Sequence, residues 1–272
     1  MVKLIDVDKL FDEYIEDYVY SNIGKVKPEE IENKIPQLYV KFGDEKLKQL
    51  DGKTPNTYYK QFSGVQLLEC LKAHLEQGVS VSDFLCEAIT ENKENESAVI
   101  LELNNENGEE YTVYLMNMVL DGGFKVPTAR YLEFITLDYG ETIRELATEQ
   151  LLSVAESVKE EVLTLLNETQ SGVRANLVEI LSNCKNDDRV FDILVAEFAK
   201  HQENIPLYAG YLAKYGDERA LPFLTVAIEK EKISYADFEE LRFAIEALGG
   251  SYDKERDFSR DKSFKKIESN QN

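Results

Sequence analysis

Cys70 and His74 stand four residues apart, a spacing that sets two side chains on one face of a helix, and with Cys86 they are three soft ligands of the kind zinc takes. No fourth ligand accompanies them, so the pair reads as a buried cysteine beside a surface histidine. His201 is the only other histidine, and the chain contains neither Gly-x-Ser-x-Gly nor His-Glu-x-x-His, which leaves hydrolytic and zinc-protease chemistry without its residues. Gly52-Lys53-Thr54 resembles the end of a phosphate loop, but the earlier glycine position holds Leu47 and no strand precedes it; Thr54 reads instead as a helix N-cap with Pro55 behind it. A calcium loop through Asn105-Glu106-Asn107-Gly108 would put Tyr114 where a bidentate glutamate belongs. Glu160-Glu161 and Glu239-Glu240 are adjacent on helices and so do not converge on one point; they read as solvated faces. No catalytic, metal or cofactor residue is expected.

The chain has 272 residues, with 31 Lys and Arg against 52 Asp and Glu, a net charge of −21 and 43% hydrophobic content. That balance supports a folded, acidic, globular protein. No apolar run exceeds four residues, which predicts neither a membrane span nor a signal peptide and suggests the cytoplasm, and three scattered cysteines make no disulfide framework. A field this negative repels phosphate backbones and anionic lipid, so neither nucleic acid nor membrane is an expected partner; a basic or polar protein surface is.

Prolines mark where helices begin. Pro28, Pro36, Pro55, Pro127 and Pro206 each precede or open a stretch of helical apolar spacing. In the first helix Val7, Leu10, Phe11, Tyr14, Ile15 and Tyr18 take one face and Asp8, Asp12, Glu13, Glu16 and Asp17 the other. Ser63 and Gln66 form a capping box opening a helix with Val65, Leu68, Leu71 and Leu75 inward, ended by Gly78. The same reading gives helices near 81–91, 94–104, 109–121, 127–137, 141–152, 155–167, 172–184, 188–200, 205–215, 218–230 and 234–248. Residues 98–114 also carry the turn and β-branched content of a hairpin; flanking helices favour two helices there.

Many short helices on short connections call for a test of internal repetition, which succeeds at a spacing of 30: Leu177 matches Leu207, Asp187 matches Asp217, Arg189 matches Arg219 and Leu194 matches Leu224. Asp138-Tyr-Gly-Glu-Thr-Ile-Arg144 is a fainter echo. Leu212-Ala-Lys-Tyr-Gly-Asp-Glu-Arg-Ala-Leu-Pro-Phe-Leu224 resembles the short HEAT-like repeat of phycobilin lyases and bacterial scaffold proteins. The resemblance covers one unit well and a second, 177–200, moderately. It implies an all-α superhelix, a solenoid of antiparallel helix pairs whose second helices line one side, with Asp187, Arg189, Asp217 and Arg219 as structural connectors between units. Asn186 stands where that pattern has Gly, so its turn is expected to differ.

The expected organisation is a continuous solenoid over 1–252, with divergent pairs in 1–126 and HEAT-like repeats in 127–252, then a charged tail, 253–272, of net charge +1 that is either disordered or laid back on the acidic body. The expected function is a non-enzymatic protein-binding scaffold, with Asp192, Glu197, Tyr208, Tyr211, Tyr215 and Glu229 as candidate partner contacts. The alternative the resemblance carries is a lyase-like enzyme or subunit acting on a protein-attached cofactor; a glycosylase on such a fold would need a basic groove the charge does not provide.

Overall fold

In a computed structural model, residues 2–23, 28–168, 171–261 and 264–265 are described. Among them the only regular structure is helical: α1 (Val7–Ser21), α2 (Pro28–Glu32), α3 (Ile35–Gly43), α4 (Pro55–Tyr58), α5 (Gly64–Gln77), α6 (Asp83–Thr90), α7 (Glu96–Leu103), α8 (Glu109–Asp121), α9 (Thr128–Thr136), α10 (Glu141–Leu152), α11 (Ala155–Glu168), α12 (Ser171–Leu181), α13 (Asp188–Lys200), α14 (Ile205–Tyr215), α15 (Leu221–Ile228) and α16 (Tyr235–Ala247). Residues 98–114 are the end of α7, a turn and the start of α8, not a hairpin. No helix among the described residues is long and apolar enough to cross a membrane. The chain divides into two compact units, Met1–Arg130 with Tyr139–Leu146 and Tyr131–Asp138 with Ala147–Asn272.

Unit 1 is built round rings and single buried polar contacts. Phe11 of α1 lies 5.2 Å from Phe42 of α3 and 4.9 Å from Tyr39, and Phe84 of α6 lies 5.0 Å from Tyr39 on the other side. Ser63 caps α5 as expected, its N–H bonded to Gln66 Oε1 at 3.1 Å. The inward face of α5 is rotated from the expected one. Val65 is 57% exposed, and Leu67, Cys70 and His74 are buried with Leu68 and Leu71. His74 is therefore no surface histidine. It is 1% exposed, with Nδ1 2.8 Å from the Cys70 carbonyl oxygen and Nε2 3.1 Å from that of Ile5, so it fastens the segment before α1 onto α5.

Gly64 has a steric reason to be glycine: a Cβ there would sit 2.6 Å from Asn95 Oδ1. Asn95 is buried because its amide donates to the carbonyls of Ala88 (3.2 Å) and Ile89 (3.1 Å), acceptors the end of α6 leaves open. Arg130 closes α7 in the same manner, donating to the Leu103 carbonyl at 2.9 Å and to that of Asn105 at 3.3 Å.

Unit 2 packs successive helices, α11 on α12, α12 on α13, α13 on α14, and α16 on both α14 and α15. The buried rows of three of its helices have the same four-residue spacing: Val158, Val162 and Leu166 in α11; Val190, Leu194 and Phe198 in α13; and Ala220, just before α15, with Leu224 and Ile228 within it. The shared spacing gives the three helices a common frame in which their positions correspond.

Candidate functional site

Asp187 and Asp217 cap the turns entering α13 and α15, their Oδ1 atoms accepting from the backbone N–H groups of Arg189 (3.0 Å) and Arg219 (2.9 Å). Each carboxylate also holds its own arginine side chain. Each arginine then reaches back two helices in the chain. Arg189 donates to both oxygens of Glu160 on α11 at 3.0 and 2.6 Å, and Arg219 donates to Asp188 on α13 at 2.8 Å while its guanidinium lies 4.4 Å from the Phe191 ring centre. The Arg189 guanidinium holds Asp187 well below the ordinary carboxylate range, and Arg219 lowers Asp217. The four residues thus form a ladder along α11, α13 and α15.

Asn186 does not change the turn as expected. Its φ of 55° is left-handed like the 80° of Gly216, a conformation Asn tolerates better than most side chains. Lys185, which sequence reading passed over, runs beside the ladder: its N–H meets Glu156 Oε1 at 2.6 Å and its Nζ donates to the Lys214 and Tyr215 carbonyls at 2.5 and 2.7 Å. Lys185 follows Glu156 and precedes Lys214 by 29 residues each, one short of the 30-residue repeat, so the repeat did not point to it.

The tyrosine stripe is buried between helices. Tyr215 accepts from the Asp187 N–H at 2.9 Å and donates to the Asp187 carbonyl at 2.8 Å; Tyr208 and Tyr211 meet edge to face at 5.7 Å. Glu197 is 4% exposed and ion-paired with Arg174 of α12 at 2.8 Å; its other oxygen lies 3.3 Å from His201, whose ring stacks on Tyr208 and reaches Glu203 at 2.8 Å. Glu197 and the tyrosines are thus buried against their own chain. Asp192 is exposed, and Glu229 is exposed but engaged by Tyr252 and Lys254. Among the described residues no three His, Cys, Asp or Glu side chains gather as metal ligands, and Cys70 lies 3.6 Å from His74 in a thiol pushed up to about 11 by burial.

What the register brings together is the outward row. Two residues beyond the first buried position stand Glu160, Asp192 and Pro222; one residue further, Glu161, Ile193 and Phe223; six beyond it, Thr164, Ala196 and Val226. The row is mainly acidic on α11, mixed on α13, where Asp192 and Ala196 are exposed and Ile193 is half-buried, and apolar on α15. Phe223 is 44% and Val226 70% exposed, beside a groove of about 400 Å³ lined by Phe198, Ala199 and Gln202 of the α13 end and Pro222, Phe223, Val226, Ala227 and Lys230. No family model, curated protein or solved structure matches this chain. The row thus has to be read from its own chemistry: it offers acidic side chains on α11 and an apolar seat on α15.

Proposed function

We propose that the chain is a HEAT-like solenoid working in the cytoplasm as a non-enzymatic protein-binding scaffold, with α11, α13 and α15 as the second helices of successive pairs. The observation that carries this reading is the outward row, in which matched positions on equivalent helices change chemistry in order while the inward rows stay apolar. A helix pair cannot cover its own apolar face, so each needs the next, and the surface left over is a fixed platform. Such a platform loses little entropy on binding, and the negative field draws in a basic or polar protein. Exposed apolar side chains at a groove rim are where interface energy concentrates.

The test is capture from lysate by the wild-type chain and by Phe223→Asp and Val226→Asp, two exposed positions whose change leaves the inward row intact. A specific protein is expected with the wild type and lost with both variants at unchanged helical content. The same capture by all three chains removes the face from the function, and no capture together with turnover of a small substrate removes the scaffold.

A further inference from the structure

The tail expected to be disordered or laid back is, through residue 258, laid back. Tyr252, Lys254, Arg256 and Phe258 alternate with the exposed acids Asp253, Glu255 and Asp257, the two-residue period of an extended segment with two unlike sides. The even-numbered side is the one that touches the body. The Tyr252 hydroxyl donates to Glu229 at 3.0 Å and Lys254 Nζ to the same oxygen at 2.5 Å; Arg256 donates at 2.5 Å to the carbonyl of Lys230, two residues past the end of α15. Phe258 packs 5.0 Å from Phe238 and 5.3 Å from Tyr235 of α16, and Tyr252 meets Phe238 at 5.8 Å.

The hold is of a kind that can be released. Side chains carry these contacts, and a cavity of about 620 Å³ lies between α16 and the segment, lined by Tyr235, Phe238 and Arg242 on one side and the tail on the other. Most contacts are exposed, so each ion pair is worth little alone. The segment also ends at the platform: Lys230, whose carbonyl receives Arg256, lines the α13–α15 groove.

We infer that Tyr252–Phe258 is a built-in occupant of the α15–α16 edge, and that the partner is a protein presenting an extended segment with two basic side chains flanked by aromatic ones along one side, which binds there by displacing it. The inference rests on the scaffold reading and deepens it by naming the partner's chemistry. The bound segment shows what this edge accepts: a cation on Glu229, a cation at the Lys230 carbonyl just past α15, and two rings against Phe238.

The probe is a labelled peptide of residues 251–261, titrated by fluorescence anisotropy into the full wild-type chain and into the full chain carrying Arg256→Glu with Phe258→Ala. The loosened chain is expected to bind it at least tenfold more tightly, and Lys254→Glu with Arg256→Glu in the peptide, or Glu229→Lys in the loosened chain, is expected to abolish binding. Equal affinity for both chains, or none for a loosened chain of normal helical content, overturns the inference. Should the double variant unfold, hydrogen exchange on the wild-type chain decides: excess peptide is expected to speed exchange in 252–258 and leave α16 protected, and no change counts against displacement. A concentration-dependent dimer of the wild type in sedimentation would make a second copy the occupant and also overturns it. A chain that ignores the peptide yet loses its captured protein with Val226→Asp forfeits the tail mechanism and keeps the scaffold; failure of both forfeits both.

Discussion

Unit 1 and unit 2 are both stacks of short helices, and they are held by different means. In unit 1 the fastenings enclosed by the core do not repeat at a fixed interval, His74 on Ile5, Asn95 on the end of α6 and Arg130 on the end of α7, and surface pairs such as Lys3–Asp51 and Lys60–Glu91 lie outside them. In unit 2 one fastening recurs, an acid cap and an arginine reaching back two helices, and it lies at the surface. A buried, unrepeated contact makes one arrangement necessary. A surface contact that repeats makes an arrangement extendable, and leaves the outward row free to vary from helix to helix.

The comparison breaks most readily at Phe42. It is fully buried, with Phe11, Tyr14 and Phe84 rings within 6.2 Å, so Phe42→Ala removes the centre of the unit 1 cluster. The expected loss is about 3–5 kcal/mol in urea unfolding. Tyr215→Phe is the unit 2 counterpart. It deletes only a hydroxyl, but one that serves both backbone groups of Asp187, and leaving them unmet is expected to cost about 1–3 kcal/mol. Cys184, fully buried two residues before Asn186 with its thiol pushed up to about 11, reports locally: its labelling by a disulfide reagent should quicken in Tyr215→Phe while that of Cys70 in unit 1 does not. Equal acceleration at both cysteines would mean that the fastening is not local.

The helices were legible because their signals are local: the Ser63–Gln66 box, the prolines at first turns, the left-handed Gly78 and Gly216. The Asp and Arg connectors were legible because they recur at a fixed interval. His74 was not. What buries it is a carbonyl 69 residues away, and nothing around position 74 announces that partner. Val65 misled because a single stripe was chosen where Leu67 and Leu68 are adjacent and either rotation gives an apolar face. The outward row was missed for a third reason: Phe223 and Val226 look like core residues until the register shows which side of α15 is already covered by Ala220, Leu224 and Ile228.

Acid should separate the units next. Glu156, Glu160, Asp187 and Asp217 all lie in unit 2 and are held below their ordinary values of 4.5 and 3.8, Glu156 first by the Lys185 N–H, Glu160 and Asp187 first by Arg189, and Asp217 first by Arg219. A carboxyl lowered in the folded chain adds stability in full above its unfolded value, and that stability is lost as pH falls through the folded one. Below about pH 4 unit 2 should therefore loosen first. Pepsin digestion between pH 4 and 2 is expected to cut within α11–α15 before α5–α8; first cuts in unit 1 would refute the assignment of acid lability to the ladder.

The smallest effect belongs to the arginines themselves. Arg189 and Arg219 are exposed, so water already screens their pairs, and the geometry earns them little in free energy. What distinguishes them is their dependence on salt. Arg219→Ala removes one rung and should lower the melting temperature slightly at low ionic strength and not measurably in molar salt, where the Debye length falls to about 3 Å. Arg189→Ala should behave alike but with the larger change, because its fork takes both oxygens of Glu160 where Arg219 takes one of Asp188. An Arg219→Ala loss that persists undiminished in molar salt would shift the role of that side chain from its charge to its packing on Phe191, and the surface ladder of unit 2 would then resemble the single buried contacts of unit 1.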